Sequence, residues 1–261
     1  MLRVGFCGVG NMSGAVLTSA LNSGILSPNQ ITAFNPTVSK LNAFAGIEIA
    51  NSNLEVCRKC DVIFLGFKPQ KLNEIAPELK GSVDGKCIVS LLAGVSTKKI
   101  IDTLGNAYVI RVMPNTPIVV GKGCTAIAKS NAPCDIYKLV CDIFRAAGSV
   151  VEVSEDDINK TIPLSSSSPA FFFRFVKAMC DSGVESGLSY DVSKNLVLST
   201  LHGVAHMMES STKTPDELIA QVTSPGGTTL AGLTGFDDFN FEEMISTVFE
   251  RTVKRADELG K

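Results

Sequence analysis

The chain has 261 residues, 45% hydrophobic and 19% charged, with a formal net charge of −2, which suits one large or two modest packed domains and excludes a disordered chain. Its 24 Lys+Arg against 26 Asp+Glu, without Trp and without a basic stripe, exclude nucleic acid as an expected partner. No apolar run approaches the ~18 residues of a membrane span.

The first ~155 residues alternate short apolar runs with amphipathic ones. Strands are expected at residues 2–7, 31–35, 61–66, 87–91, 108–113, 124–129 and 150–153. Helices are expected at 11–23, 39–44, 71–79, 97–104 and 133–147. The runs VIFLG and CIVSLLAG are apolar throughout, as strands covered on both faces are. A mostly parallel, doubly wound α/β sheet follows. After Glu155 no strand pattern is convincing. Helices are expected at 169–187, 191–211, 215–222 and 241–259, with Phe171, Phe172, Phe175, Val176 and Met179 at helical spacing on the first. The expected division is an α/β domain over 1–160 and an all-α domain over 161–261.

The first strand ends at Cys7 and Gly8-Val9-Gly10-Asn11-Met12-Ser13 follows. Gly8 permits a tight turn, Gly10 a close backbone approach, and the helix N-terminus at Asn11 and Met12 an anion site. This is a Rossmann-like turn for a dinucleotide pyrophosphate, with Ser13 where Gly or Ala is usual. An NAD-specific site usually ends its second strand in Asp or Glu. Here Asn35-Pro36-Thr37-Val38-Ser39-Lys40 carries no acid. Asn35, Thr37 and Lys40 therefore point to a 2′-phosphate, hence NADPH, with NADH as the alternative. Lys68-Pro69-Gln70, Ala93-Gly94 and Met113-Pro114-Asn115-Thr116-Pro117 follow three further strands. They reach the edge where open α/β sheets bind ligands. Ser224-Pro225-Gly226-Gly227-Thr228-Thr229 reads as a loop entering a helix, with amides and hydroxyls turned toward an anion.

Other signals point elsewhere. Cys57-x-x-Cys60 has no second Cys pair at zinc spacing. His202 and His206 are four apart, but no Glu follows His202, so the zinc-protease pattern is absent and no metal is expected. Asp156 and Asp157 suit a helix N-terminus. Eight cysteines, several in apolar runs, together with a strand that begins at Leu2 and leaves no room for a signal peptide, set the expectation of a reduced, cytoplasmic compartment.

The motifs GVGNM, KPQ, LAG, MPNTP, SSPA and SPGGTT, in this order and spacing, resemble those of pyrroline-5-carboxylate reductase along the whole chain. The resemblance implies reduction of the C=N bond of Δ1-pyrroline-5-carboxylate to proline with NAD(P)H. It implies a Rossmann domain followed by helices that interleave with a second copy in a homodimer, or a higher assembly of dimers. Gly8, Gly10, Asn11 and Met12 then hold the pyrophosphate, and Asn35 with its neighbours faces the adenosine ribose. Lys68, Pro69, Ala93 and Asn115 border the nicotinamide. Gly226, Gly227 and Thr228 hold the substrate, its carboxylate on the Gly227 and Thr228 amides, with Ser224 and Thr229 as the catalytic candidates and the ring nitrogen near the Thr229 hydroxyl. Ser168 lines a wall where SSSSPAF stands for the more usual SGSGPAY. The alternatives are another small imine or β-hydroxyacid oxidoreductase and a non-catalytic dinucleotide-binding regulator, which would have no reason to keep SPGGTT.

Overall fold

Short apolar runs become the centre of a sheet because helices cover them on both faces. The computed structural model describes residues 2–128 and 130–260. It begins β1 (Val4–Cys7), α1 (Asn11–Asn22), β2 (Ile31–Phe34), β3 (Glu48–Ile49), α2 (Asn53–Lys59), β4 (Val62–Leu65) and α3 (Leu72–Leu79). There follow β5 (Cys87–Ser90), α4 (Thr97–Leu104), β6 (Tyr108–Met113), β7 (Gly123–Ala128), α5 (Cys134–Arg145) and β8 (Gly148–Val153). The sheet order is β3-β2-β1-β4-β5-β6-β7-β8. Every neighbouring pair is parallel except β6–β7, where Val112 lies opposite Ile127.

Alternate strand residues serve opposite faces. Val4, Phe6, Val62, Phe64 and Val89 meet Val16, Leu17 and Ala20 of α1 and Val140, Ile143 and Phe144 of α5. Cys7, Ile63, Leu65 and Ile88 meet Val56 of α2, Leu72 and Leu79 of α3, and Ile100 and Leu104 of α4. This is the doubly wound α/β arrangement expected from the sequence. The Phe6 and Phe64 rings stack with centroids 4.7 Å apart, and Phe144 closes on Phe64 at 6.4 Å.

Three local expectations need correction. Residues 39–44 form no α-helix. A single 3₁₀ turn, Val38–Lys40, is followed by turns, because this polar stretch buries only Leu41. The helix α2 was not expected. Ser52 Oγ accepts the Glu55 N–H at 3.1 Å, and the Glu55 carboxylate accepts the Asn51 N–H at 2.8 Å, so side chains on both sides of its start satisfy free amides. The two-residue β3 is too short for any periodic signal. Of the strand expected at 124–129, Lys129 lies outside the described residues.

The remaining helices are α6 (Ser168–Glu185), α7 (Tyr190–Ser210), α8 (Pro215–Gln221), α9 (Thr228–Asp238) and α10 (Phe241–Leu259). Contacts divide the chain into residues 1–169 with 251–261, and residues 170–250. The turns over 158–166 pack in the first unit, where Ile158 and Ile162 meet Met113, Ala126, Ala128 and Ala256. In the second unit, α6 and α7 approach closely at Gly183, where a Cβ would lie 3.0 Å from Ser193 Cβ. Among the described residues of this unit, only Cys180 and Ser193 are buried. No helix among the described residues is long and apolar enough to cross a membrane.

Phe64 is fully buried and carries ring contacts on two sides. Phe64→Ala is expected to lower unfolding free energy by about 3–5 kcal/mol, read from the urea midpoint. A loss near that of a surface substitution would contradict this packing.

Candidate cofactor and substrate sites

The turn after β1 is held from three sides. Gly8 sits at φ +89, in the region that favours glycine, and a Cβ there would lie 3.0 Å from Phe67 N. Its N–H donates to the Phe34 carbonyl at 2.9 Å, and the Gly66 N–H donates to the Cys7 carbonyl at 2.9 Å. The Gly10 N–H donates to Ser13 Oγ at 3.0 Å, and that hydroxyl donates to the Gly8 carbonyl at 2.8 Å. Ser13 therefore fastens the turn on itself. Gly66 passes so close that a Cβ would lie 2.5 Å from Ser13 Cβ. The first-turn amides of α1, at Asn11 and Met12, have no intrahelical acceptor, and these two residues are not buried. That donor set fits a pyrophosphate.

After β2, the buried Asn35 side chain accepts the Val9 N–H at 3.0 Å and donates to the Thr37 carbonyl at 2.9 Å. It braces two loops against each other. Thr37 and Lys40 are exposed, and Lys40 makes no ion pair with the described residues. The stretch thus offers a free cation and no carboxylate, which fits a ribose 2′-phosphate.

Lys68 opens a 3₁₀ turn at Pro69–Lys71 after β4, Ala93 follows β5, and Asn115 follows β6. Because β1, β2, β4, β5 and β6 are parallel, all these loops leave the same sheet edge. Asn115 Oδ1 accepts the Cys124 N–H at 2.8 Å, and its Nδ2 donates to the Ser165 carbonyl at 3.2 Å. Ser168, the first residue of α6, donates its hydroxyl to the Leu164 and Ser165 carbonyls at 2.9 and 3.1 Å. Both side chains face inward, so what they give the edge is its backbone shape. Arg111 was not singled out in the sequence. It is buried, pairs with Glu155 at 2.9 Å and donates to Asn159 Oδ1 at 2.8 Å. The signal was its lone charge in the apolar run YVIRVM. A shallow pocket against the C-terminal half of α1 and residues 118–121 contains none of the expected site residues.

In the second unit, Ser224, Pro225, Gly226 and Gly227 form a reverse turn. Gly226 has φ +71 and the Gly227 N–H donates to the Ser224 carbonyl at 3.0 Å. Pro and Gly at the two central positions are what a type II turn selects. Gly227 then caps α9 with an extended backbone. The Gly227 amide, expected at the substrate carboxylate, donates within the turn here. The first-turn amides of Thr228 and Thr229 remain for an anion. Ser224, Thr228 and Thr229 are exposed.

Cys7 and Cys57 lie in the core with sulfurs 3.9 Å apart, and Cys60 is buried beside β1. The hydrogen bond with Cys57, then burial, hold the Cys7 thiol well above its ordinary pKa, and burial pushes Cys87 up to about 12. Among the described residues, no three His, Cys, Asp or Glu are grouped to hold a metal. His202 and His206 are exposed on α7, and His206 Nδ1 lies 3.3 Å from Glu209. Asp157 precedes a 3₁₀ turn over 158–161, and its hydrogen bond from Lys160 lowers its pKa.

Residues 155–259 match the family model "Pyrroline-5-carboxylate reductase dimerisation", and residues 3–94 match "NADP oxidoreductase coenzyme F420-dependent". The pyrroline-5-carboxylate reductase of Synechocystis is 32% identical over 265 aligned positions, covering 100% of this chain and 99% of its own. The chain belongs to the pyrroline-5-carboxylate reductase family. The Escherichia coli member is 31% identical over 99% of this chain and 98% of its own. Among solved structures, the Plasmodium falciparum member with NADP bound has a TM-score of 0.88 at 30% identity, covering 100% of this chain and 98% of its own. The Coxiella burnetii member has a TM-score of 0.87 at 32% identity, covering 100% and 99%. The helices after residue 155 therefore constitute the family's dimerisation domain, and the sheet its Rossmann-like domain.

Ser13→Ala removes one hydroxyl that makes two hydrogen bonds. It is expected to lower unfolding free energy by about 1 kcal/mol in thermal or urea unfolding. NADPH affinity, read by fluorescence titration, should hold or rise because the Gly10 N–H is released toward solvent. Weakened NADPH binding would show instead that the Ser13 hydroxyl itself serves the ligand.

Proposed function

We propose that this chain reduces the C=N bond of Δ1-pyrroline-5-carboxylate to proline with NADPH. The observation that carries this reading is a family match along the whole chain. The turn at Ser224–Gly227, feeding the amides of Thr228 and Thr229, supports it. NADPH supplies a hydride from nicotinamide C4 to the imine carbon, and the ring nitrogen, protonated, becomes the secondary amine. The protein's task is placement.

In this reading Gly8, Gly10, Asn11 and Met12 receive the pyrophosphate on the N-terminus of α1. Asn35 keeps that turn in shape while Thr37 and Lys40 meet the 2′-phosphate. Lys68, Pro69, Ala93 and Asn115 border the nicotinamide, and Ser168 shapes a neighbouring wall. The Thr228 and Thr229 amides take the substrate carboxylate, Gly226 and Gly227 allow the chain to turn there, and Ser224 contributes its backbone carbonyl to the turn. The Thr229 hydroxyl serves the ring nitrogen. None of these side chains is a strong general acid, so the proton comes with the substrate or through Thr229 from water.

The working assembly is a homodimer or a set of dimers. Phe172, Phe173 and Leu196 are 60%, 69% and 58% exposed on the dimerisation helices, and such apolar area seeks a partner surface. All eight cysteines are free thiols and six are buried, which suits the reducing cytoplasm.

NADPH oxidation on addition of pyrroline-5-carboxylate tests the reading, and no turnover would overturn it. A higher kcat/KM with NADPH than with NADH is expected, and Lys40→Ala should weaken NADPH more than NADH. Equal loss for both would remove Lys40 from phosphate recognition. Thr229→Val keeps the β-branched shape and is expected to lower kcat on the order of 10²-fold at near-normal NADPH affinity. An unchanged kcat/KM would remove the hydroxyl from the mechanism.

A further inference from the structure

Two restraints meet on residues 91–97, the stretch that carries Ala93 between β5 and α4. At one end, Glu155 Oε1 accepts the Thr97 N–H at 2.9 Å and also Nη1 of Arg111 at 2.9 Å. At the other end, the last turn of α10 lies on Gly94. A Cβ on Gly94 would collide with the Ala256 carbonyl oxygen and lie 3.1 Å from Gly260 N. A chain of hydrogen bonds joins the two grips. Nη2 of Arg111 donates to Asn159 Oδ1 at 2.8 Å, and Asn159 Nδ2 donates to Asp257 Oδ1 at 2.8 Å in that last turn. All of these residues belong to the same unit. The Arg111 side chain is only 4% exposed and that of Glu155 34%, so their bond is screened less than that of a fully exposed surface pair. Arg111 lies on β6 and Asn115 follows that strand, so the same carboxylate anchors two of the three loops that border the nicotinamide in the proposed site.

We propose that Glu155 is a positioning residue for hydride transfer, holding the Ala93 and Asn115 backbones in place through Thr97 and Arg111. It touches no reacting atom. The inference rests on the assignment of Ala93 and Asn115 to the nicotinamide site. Hydride transfer needs donor and acceptor carbons held about 3–3.5 Å apart and aligned, and small misplacement is costly. The adenosine half is gripped elsewhere, by residues 8–12 and 35–40. Loosening the nicotinamide loops therefore separates catalysis from binding.

Glu155→Leu removes the acceptor, whereas Glu155→Gln keeps one oxygen for Thr97 and Arg111. In single turnover, Glu155→Leu is expected to slow hydride transfer on the order of tenfold to a hundredfold, with NADPH affinity near that of the unmodified chain. Glu155→Gln should recover most of the rate. An unchanged rate, a parallel fall in rate and affinity, or a Gln variant no better than Leu overturns the proposal. Nicotinamide fluorescence anisotropy of bound NADPH reads the same loosening without a second substrate, and it should fall in Glu155→Leu. An unmodified chain inactive on pyrroline-5-carboxylate overturns the functional reading, while undiminished anisotropy in Glu155→Leu overturns this one. Should Glu155→Leu fail to fold, Glu155→Ala, which removes the same acceptor without adding apolar bulk, carries the same test, with Glu155→Gln as the rescue.

Discussion

What the chain offers a dinucleotide depends on β1 lying in parallel register between β2 and β4. Val4 is level with Ile31 on one side and Val62 on the other, and Cys7 with Phe34 and Leu65. The three strands therefore end together. From β1 the chain winds outward through β2 and β3, then returns to the opposite side at β4. The connections leave in opposite directions and open a crevice at that point. The turn at Gly8 occupies it, tied to Phe34 on one flank and pressed by Gly66 on the other. Slipping β4 by one residue would exchange its two faces, setting Phe64 against α2 and Ile63 against α1. Core and crevice thus share one register.

Many polar side chains at this edge face the protein. Asn35, Asn115, Ser13 and Ser168 all spend their hydrogen bonds on backbone groups. What they present to the outside is main chain in a fixed shape. This suits a reaction in which the imine already accepts hydride readily once protonated and accuracy of placement matters more than acid strength. It also explains how an edge poor in charged side chains can serve a highly charged ligand: helix N-termini supply the positive ends.

Much of this was legible from residue order. Apolar runs such as VIFL and CIVS, with no polar face, announced a sheet buried on both sides, and the glycine turn marked its first crossing. SPGGTT marked the loop into α9. Other parts escaped for physical reasons. The β3 pair is too short to show a period. The start of α2 was written as Ser52 and Glu55, three apart, but the helix spans only seven residues and its apolar face is correspondingly faint. The bonds of the Asn35 side chain to Val9 and Thr37 are not legible in a sequence, which names a residue and not its direction. The bond of the Gly227 N–H within its turn follows from φ and ψ and not from composition. Arg111 and Glu155 are 44 positions apart, and nothing local announces such a pair.

The sparsely buried dimerisation helices have a consequence for how the protein behaves as a population of molecules. Between residues 170 and 250, only Cys180 and Ser193 are buried among the described residues, so one copy of this segment supplies little core of its own. Whatever covers the remaining apolar surface enters the folding equilibrium by mass action. The melting temperature of such a segment is then no fixed property of the chain but rises with its concentration. Dilution, slow synthesis or excess of an altered copy would act on it as a mild denaturant does.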